Sequence, residues 1–163
     1  AVVIDYQNPR YSRRLFLPAR PPEEALIDPH RFNCQLARAR NPANDGAHRV
    51  ETAGVEVFRG LPILEDDPDA YRRKKGVDIP CTPTLADLAL LIFDIVVPAS
   101  RDTDPAPAFD HAARTGHAKI EAAKWYHPNE PSTRGRIKTE RRPWTTSMTQ
   151  EHFSASLDLR DDT

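Results

Sequence analysis

Apolar residues along this chain come in short bursts separated by proline and charge, and the elements they predict are short as well. Asp28-Pro29 reads as an N-cap followed by a proline in the first helical turn. Phe32, Leu36 and Ala39 then recur at helical spacing before Asn41-Pro42, which predicts an amphipathic helix over 29–40. Val50 to Phe58 is β-leaning, and Ala53-Gly54 in its middle predicts a small hairpin over about 50–58. The strongest apolar run, Leu85 to Val97, opens on the capping residues Thr82 and Thr84, with Pro83 suited to a first turn, and stops at Pro98. It predicts the most buried helix, over about 84–97, with Asp87 near the positive end of its dipole. Asp87 and Asp94 then share a face, and a solvated stripe explains them better than a catalytic carboxylate pair. With Asp94 inside it, the run is too short and too polar for a membrane span, which needs ~20 apolar residues. Phe109, Ala113, Gly116, Ile120 and Ala123 predict a further helix over about 108–126 with a seam of small side chains. Gly116 costs that helix about 1 kcal/mol relative to Ala, which close packing would offset.

Outside these segments the pattern is extended. Pro9, Pro18, Pro21 and Pro22 remove backbone donors among Tyr6, Tyr11, Leu15, Phe16 and Leu17, as in an arm that lies on something. After His127-Pro128 the chain is again irregular and basic. The expected division is an extended Pro/aromatic arm over 1–28, a small mainly helical region over 29–127 and an extended basic/aromatic tail over 128–163. Composition agrees with that picture: 16 prolines against 6 glycines, 39% hydrophobic and 7% aromatic residues leave little for a core in 163 residues. The expected fold is mostly irregular and extended, with a few short helices and no large independent core.

Charge excludes some functions. Lys and Arg number 23 against 24 Asp and Glu, a net charge of -1, which disfavours nucleic-acid binding through a global basic field. Locally, Arg10, Arg13, Arg14 and Arg20 form one basic patch, and Arg134, Arg136, Lys138, Arg141 and Arg142 another. Cys34 and Cys81 make neither a disulfide framework nor a Cys-x-x-Cys zinc pair, and a reducing compartment is expected. The start at Ala1 lacks Met and any secretory-signal pattern, which suits a processed or truncated form. The glycines, at 46, 54, 60, 76, 116 and 135, allow no phosphate-binding loop of the two common kinds. No two histidines stand four apart, and no serine sits in a nucleophile elbow. The expectation is a non-enzymatic protein with no catalytic residue, no metal, no cofactor and no small-molecule substrate.

The string Pro143-Trp144-Thr145-Thr146-Ser147-Met148 followed by Phe153, and to a lesser degree Tyr6-Gln7-Asn8-Pro9-Arg10-Tyr11, resembles the anchor segments of small microtubule inner proteins of ciliary and flagellar doublets. The resemblance covers only these segments. It implies a structural protein with little fold of its own that lines the luminal wall of the axonemal doublet and staples tubulin and neighbouring inner proteins. Trp144, Thr146 and Phe153 would then be anchors. Tubulin is acidic, so Arg10, Arg13, Arg14, Arg134, Arg136, Arg141 and Arg142 would meet carboxylates while Tyr6, Tyr11, Phe16, Trp144 and Phe153 fill pockets. Many weak contacts would add along the lattice. The same features suit a supernumerary subunit of a mitochondrial respiratory, ATP-synthase or ribosomal complex. A third class is a compact enzyme or small-ligand module built round the 84–97 helix, with Trp144 and Phe153 closing over it as core.

Overall fold

Val2, Val3 and Ile4 form the heart of a parallel sheet. Strand β1 (Val2–Asp5) has β2 (Val55–Phe58) on one side and β3 (Ile95–Ala99) on the other. The computed structural model describes residues 1–5, 12, 14–20, 26–42, 49–58, 78–99, 106–135 and 139–159. Strand β3 pairs in turn with β4 (Lys119–Ile120), giving the order β2-β1-β3-β4, and β5 (Ala122–Trp125) pairs with β6 (Thr145–Met148), again in parallel. Glu121 joins the two sheets. Its N–H donates to the Val96 carbonyl at 3.1 Å, whereas the next N–H, of Ala122, donates to Trp144 at 2.8 Å on the opposite side. One extended stretch therefore carries the ladder from β3 to β6.

Parallel strands need crossovers, and these supply the helices. They are α1 (Pro29–Arg40), α2 (Asp78–Leu90) and α3 (Ala106–Thr115), and the short α4 (Gln150–Ala155) follows the last strand, β6. Period-two alternation sorts the strand residues between two faces. Val2, Ile4, Val97, Ala99, Ala123 and Trp125 pack with Phe32 and Leu36 of α1 and Phe153 of α4. Val3, Val96, Ile120 and Ala122 pack with Leu85, Leu88 and Ala89 of α2 and Ala108, Phe109 and Ala112 of α3. The result is a doubly wound arrangement with a buried layer on each side of the sheet.

The helix over 29–40 forms as expected, with the Asp28 carboxylate accepting from the Arg31 N–H at 2.8 Å and Pro29 in the first turn. Other expectations are corrected. The 84–97 run is two elements: a helix that begins at Asp78, with Pro83 inside it rather than in a first turn capped by Thr82 or Thr84, and a strand over Ile95–Ala99. Proline does not stop that strand, because Val97 N–H points to β1, donating to Ala1. The donorless Pro98 therefore faces the other side, where the ladder to β4 has already ended at Val96. The 108–126 segment is likewise a helix to Thr115 followed by strands. No hairpin forms over 50–58: β2 pairs in parallel with β1, and the Gly54 carbonyl accepts from the Val2 N–H at 2.9 Å instead of turning the chain. The expected arm contains the central strand, and the expected tail contains β6 and α4. Among the described residues no helix is long and apolar enough to cross a membrane.

Candidate functional site

In an open, doubly wound sheet the place for chemistry is the carboxyl edge, where neighbouring strands send their connections to opposite faces. Here that point lies between β1 and β3. Ile4 is paired with Ala99, so the two strands end side by side. From β1 the chain proceeds to α1 on one face; from β3 it proceeds to α3 on the other. Asp5 is the last residue of β1 and pairs with Phe58 of β2. Helices α2 and α3 return toward the amino edge, where the Ala89 carbonyl accepts from His117 and Ala118 and the Asp94 carbonyl from Lys119. Their first residues, Asp78 and Ala106, are thus at the carboxyl edge.

Toward β5 the same edge is finished by ordered polar contacts. His127 follows Trp125-Tyr126; its N–H donates to Thr133 Oγ1 at 3.1 Å, and that hydroxyl is itself within 2.7 Å of the Glu130 carbonyl. Lys124 Nζ donates to the carbonyls of Thr133 and Gly135 at 2.8 and 2.7 Å, which ties the loop after β5 to the sheet. The Phe16 ring stands 5.8 Å from both the His127 and Trp125 rings.

The main electrostatic feature of the sheet is the ion pair beneath α1. Arg40 donates through Nε to Glu121 Oε2 at 2.7 Å and through Nη2 to Oε1 at 2.9 Å, and Lys119 Nζ lies 3.0 Å from Oε1. Burial pushes the Glu121 carboxyl up, but the hydrogen bonds and charges of Arg40 and Lys119 outweigh it and hold the carboxyl below its ordinary value. The same hydrogen bond raises Arg40. Each charge is met by the other, and that of Glu121 by Lys119 as well, so the pair is architectural.

The residues read from sequence as partner anchors divide. Phe16, Thr146 and Phe153 are buried in the protein's own core, Phe153 completely, and are not available as surface anchors. Arg14, Arg134, Arg141, Arg142 and Trp144 are exposed. Arg134 donates to the Pro128 carbonyl at 2.8 Å. Tyr6, Arg10, Tyr11, Arg13 and Arg136 lie outside the described residues. Phe153 does close over a core, as one alternative held, but against Trp125 and Phe16 rather than the apolar helix. Asp87 and Asp94 are exposed, the first on α2 and the second in the bend before β3, so they do not share a helix face as a catalytic pair. Among the described residues no three His, Cys, Asp or Glu side chains are grouped to hold a metal ion.

Sequence reasoning passed over Asp5, Arg40 and Glu121. The available signal for Asp5 is an apolar triplet ended by an acid, Val2-Val3-Ile4-Asp5. The chain repeats it as Ile95-Val96-Val97-Pro98-Ala99 followed closely by Asp102 and Asp104. No family model, no curated protein and no solved structure matches the chain.

Proposed function

We propose that the protein is a divalent-cation-dependent hydrolase of phosphate esters, with its centre at the carboxyl edge between β1 and β3. The observation that carries this reading is the position of Asp5 at the end of the central strand, beside the end of β3. Sequence continuity supports it: Asp102 and Asp104 belong to the short connection between Ala99 and Ala106, and Asp78 opens α2. Aspartates without His or Cys offer a hard oxygen donor set, suited to Mg²⁺ or Mn²⁺ rather than zinc. Asp5, with carboxylates from Asp78, Asp102 and Asp104, would hold the ion, which supplies Lewis-acid polarisation of a phosphoryl oxygen and a more acidic water. Arg72, Arg73, Lys74 and Lys75, just ahead of Asp78 in sequence, offer charge complementary to a phosphate. This departs from the non-enzymatic expectation, which was drawn from the absence of phosphate-loop, zinc-pair and nucleophile-elbow motifs.

The test is Mn²⁺-dependent turnover of bis(p-nitrophenyl) phosphate by the full chain, with Mn²⁺ binding followed by calorimetry. Asp5→Asn should abolish turnover and weaken Mn²⁺ binding at least about tenfold while leaving the melting temperature close to that of the parent. Failure of the wild-type chain to bind Mn²⁺ or Mg²⁺ at millimolar concentration overturns the reading.

A structural role in a large assembly, on the doublet wall or in a mitochondrial complex, is the second reading. It is favoured by one observation: Leu90, Leu91 and Ile92, at the end of α2 and in the turn that leads to β3, are consecutive and exposed, Ile92 by 96%, and Trp144 is also exposed. Pelleting with taxol-stabilised microtubules separates the two, since co-sedimentation lost on Leu91→Asp or Trp144→Ala supports assembly binding and no co-sedimentation removes the tubulin form of it.

A further inference from the structure

Leu90, Leu91 and Ile92 form an apolar knuckle at the amino edge of the sheet, opposite the centre proposed above. Ile92 is 96% exposed, and it is held there from both sides. Before it, the Leu91 N–H donates to the Leu88 carbonyl at 3.2 Å; after it, Phe93 turns inward against the core beneath α2 and α3, and the Asp94 carbonyl accepts from the Lys119 N–H at 2.8 Å. Scattered apolar side chains are ordinary on a protein surface, whereas three in succession on a braced turn mark a contact surface. Beside the knuckle lies a groove of about 1120 Å³, with Ile92 on its lining, between α1 and the segment 49–53 that leads into β2. The wall formed by that segment is fastened to α1 by a reciprocal pair: the Val50 N–H donates to Asn41 Oδ1 at 3.0 Å, and Asn41 Nδ2 donates to the Val50 carbonyl at 3.3 Å. The projection and the hollow are thus both built into one edge of the protein.

Several polar groups of the lining are met within the chain: Arg40 and Lys119 by Glu121, and the Ala1 α-ammonium by the Ile95 carbonyl at 2.8 Å. The exposed charges are of both signs, Arg49 and Glu51 on the 49–53 wall and Asp94 on the wall that carries the knuckle. A lining divided between apolar and polar side chains has the composition of a protein–protein interface rather than that of a small-ligand pocket, which is mostly apolar. A partner of uniform charge is repelled by one part of this rim. A second copy of the chain is matched, because it brings the same projection and the same mixture of charge. A knuckle seated in the groove of another copy carries its Asp94, two residues beyond Ile92, toward the wall that holds Arg49. A twofold axis repeats that junction, so each copy gives one knuckle and receives one.

We propose that the protein forms a twofold dimer through its amino edge, with the Leu90–Ile92 knuckle of each copy in the groove of the other and Asp94 of each against Arg49 of the other. The pairing is independent of the carboxyl-edge reading and leaves both carboxyl edges open. In sedimentation equilibrium of the full chain the mass should rise reversibly with concentration from 18.4 kDa to twice that value. Ile92→Asp should weaken association at least about tenfold while circular dichroism stays that of the parent. The decisive variants reverse one rim charge each. Arg49→Glu sets two carboxylates at each junction and Asp94→Arg two guanidiniums, so each variant alone should self-associate about tenfold more weakly than the parent. Mixed in equal amounts, the two variants complement each other at both junctions and should pair with nearly parental affinity. This mixing test stands even if Ile92→Asp fails to fold. The proposal is overturned by a chain that stays monomeric up to about 1 mM, by a dimer that a folded Ile92→Asp leaves intact, or by charge variants that pair no better mixed than alone. A mass that climbs past the dimer, the mark of an open head-to-tail contact, overturns it too.

Discussion

Arg40 and Glu121 meet across the interface of α1 with the β4–β5 junction in a two-point pair, Nε to Oε2 at 2.7 Å and Nη2 to Oε1 at 2.9 Å, with side chains 3% and 1% exposed. The pair sits where the ladder passes from β3 to β6, at the residue that interrupts β4 and β5. Removing one partner deprives the other buried charge of its two-point pairing, which typically costs about 3–5 kcal/mol. Arg40→Ala and Glu121→Ala should each lose stability of that order in urea unfolding, and Arg40→Met with Glu121→Leu together should lose far less than the sum. An additive double variant would show that the pair is not coupled.

The same pair sets an acid limit. Because the Glu121 carboxyl is held below its ordinary 4.5 in the fold, the unfolded chain takes up its proton first as pH falls. The stabilisation is fully present above 4.5 and is lost as the pH drops through the lower, folded value. Urea midpoints should decline below that pH, and Glu121→Gln, less stable at neutrality, should show a shallower decline. A parallel decline in the two proteins would assign the acid sensitivity to other carboxylates.

Local signals made α1 legible: an Asp cap, a proline that fits the first turn and an Asn-Pro stop are all contained in its own sequence. The sheet was not legible because its evidence is distributed. Four-residue β1 has no meaning without its neighbours, and parallel pairing depends on segments some fifty and ninety residues away. The run from Leu85 to Val97 is broken only by Asp87 and Asp94, seven apart and so compatible with one continuous helix, and periodicity does not mark where α2 ends and β3 begins. Ala122 and Ala123 favour helix by propensity, and burial between two covered faces overrides it. Asp5 was missed for the same reason: an acid at a strand end is notable only once the strand is known to be central.

Gly116 shows a correct local inference in a wrong setting. Close packing was expected to explain it, and it does, although the residue follows α3 rather than lying within a helix. A Cβ there would stand 2.5 Å from Ala89 Cβ and 2.8 Å from the Ala89 carbonyl oxygen. That carbonyl also accepts from His117 and Ala118 at 2.8 and 3.1 Å, so it cannot withdraw without breaking the α2 contact. Gly116→Ala should destabilise by about 1–3 kcal/mol, as overpacking does. An unchanged denaturation midpoint would mean that α2 shifts freely against the α3–β4 turn.

The aromatic residues offer the sharpest contrast, because residues placed together by the sequence are separated by the fold. Phe153 is fully buried, its ring 5.3 Å from Trp125 and 5.1 Å from Phe16, and Phe32 completes the group at 5.5 Å from Trp125. Trp144, nine residues earlier, is 44% exposed, and its backbone carbonyl rather than its ring holds β5. Phe153→Ala removes a ring from a packed cluster that also anchors α4 to α1, and should cost about 3–5 kcal/mol. Trp144→Ala leaves the Ala122–Trp144 hydrogen bond in place and should change stability by about 0.5 kcal/mol or less. If both substitutions are made in the full chain and followed by tryptophan fluorescence and urea unfolding, the fluorescence that remains in Trp144→Ala reports Trp125 in its cluster alone. That signal should collapse in one step with the global transition. Loss of comparable stability in both variants would mean that Trp144 is packed as tightly as Phe153, and would withdraw it from any role at the surface.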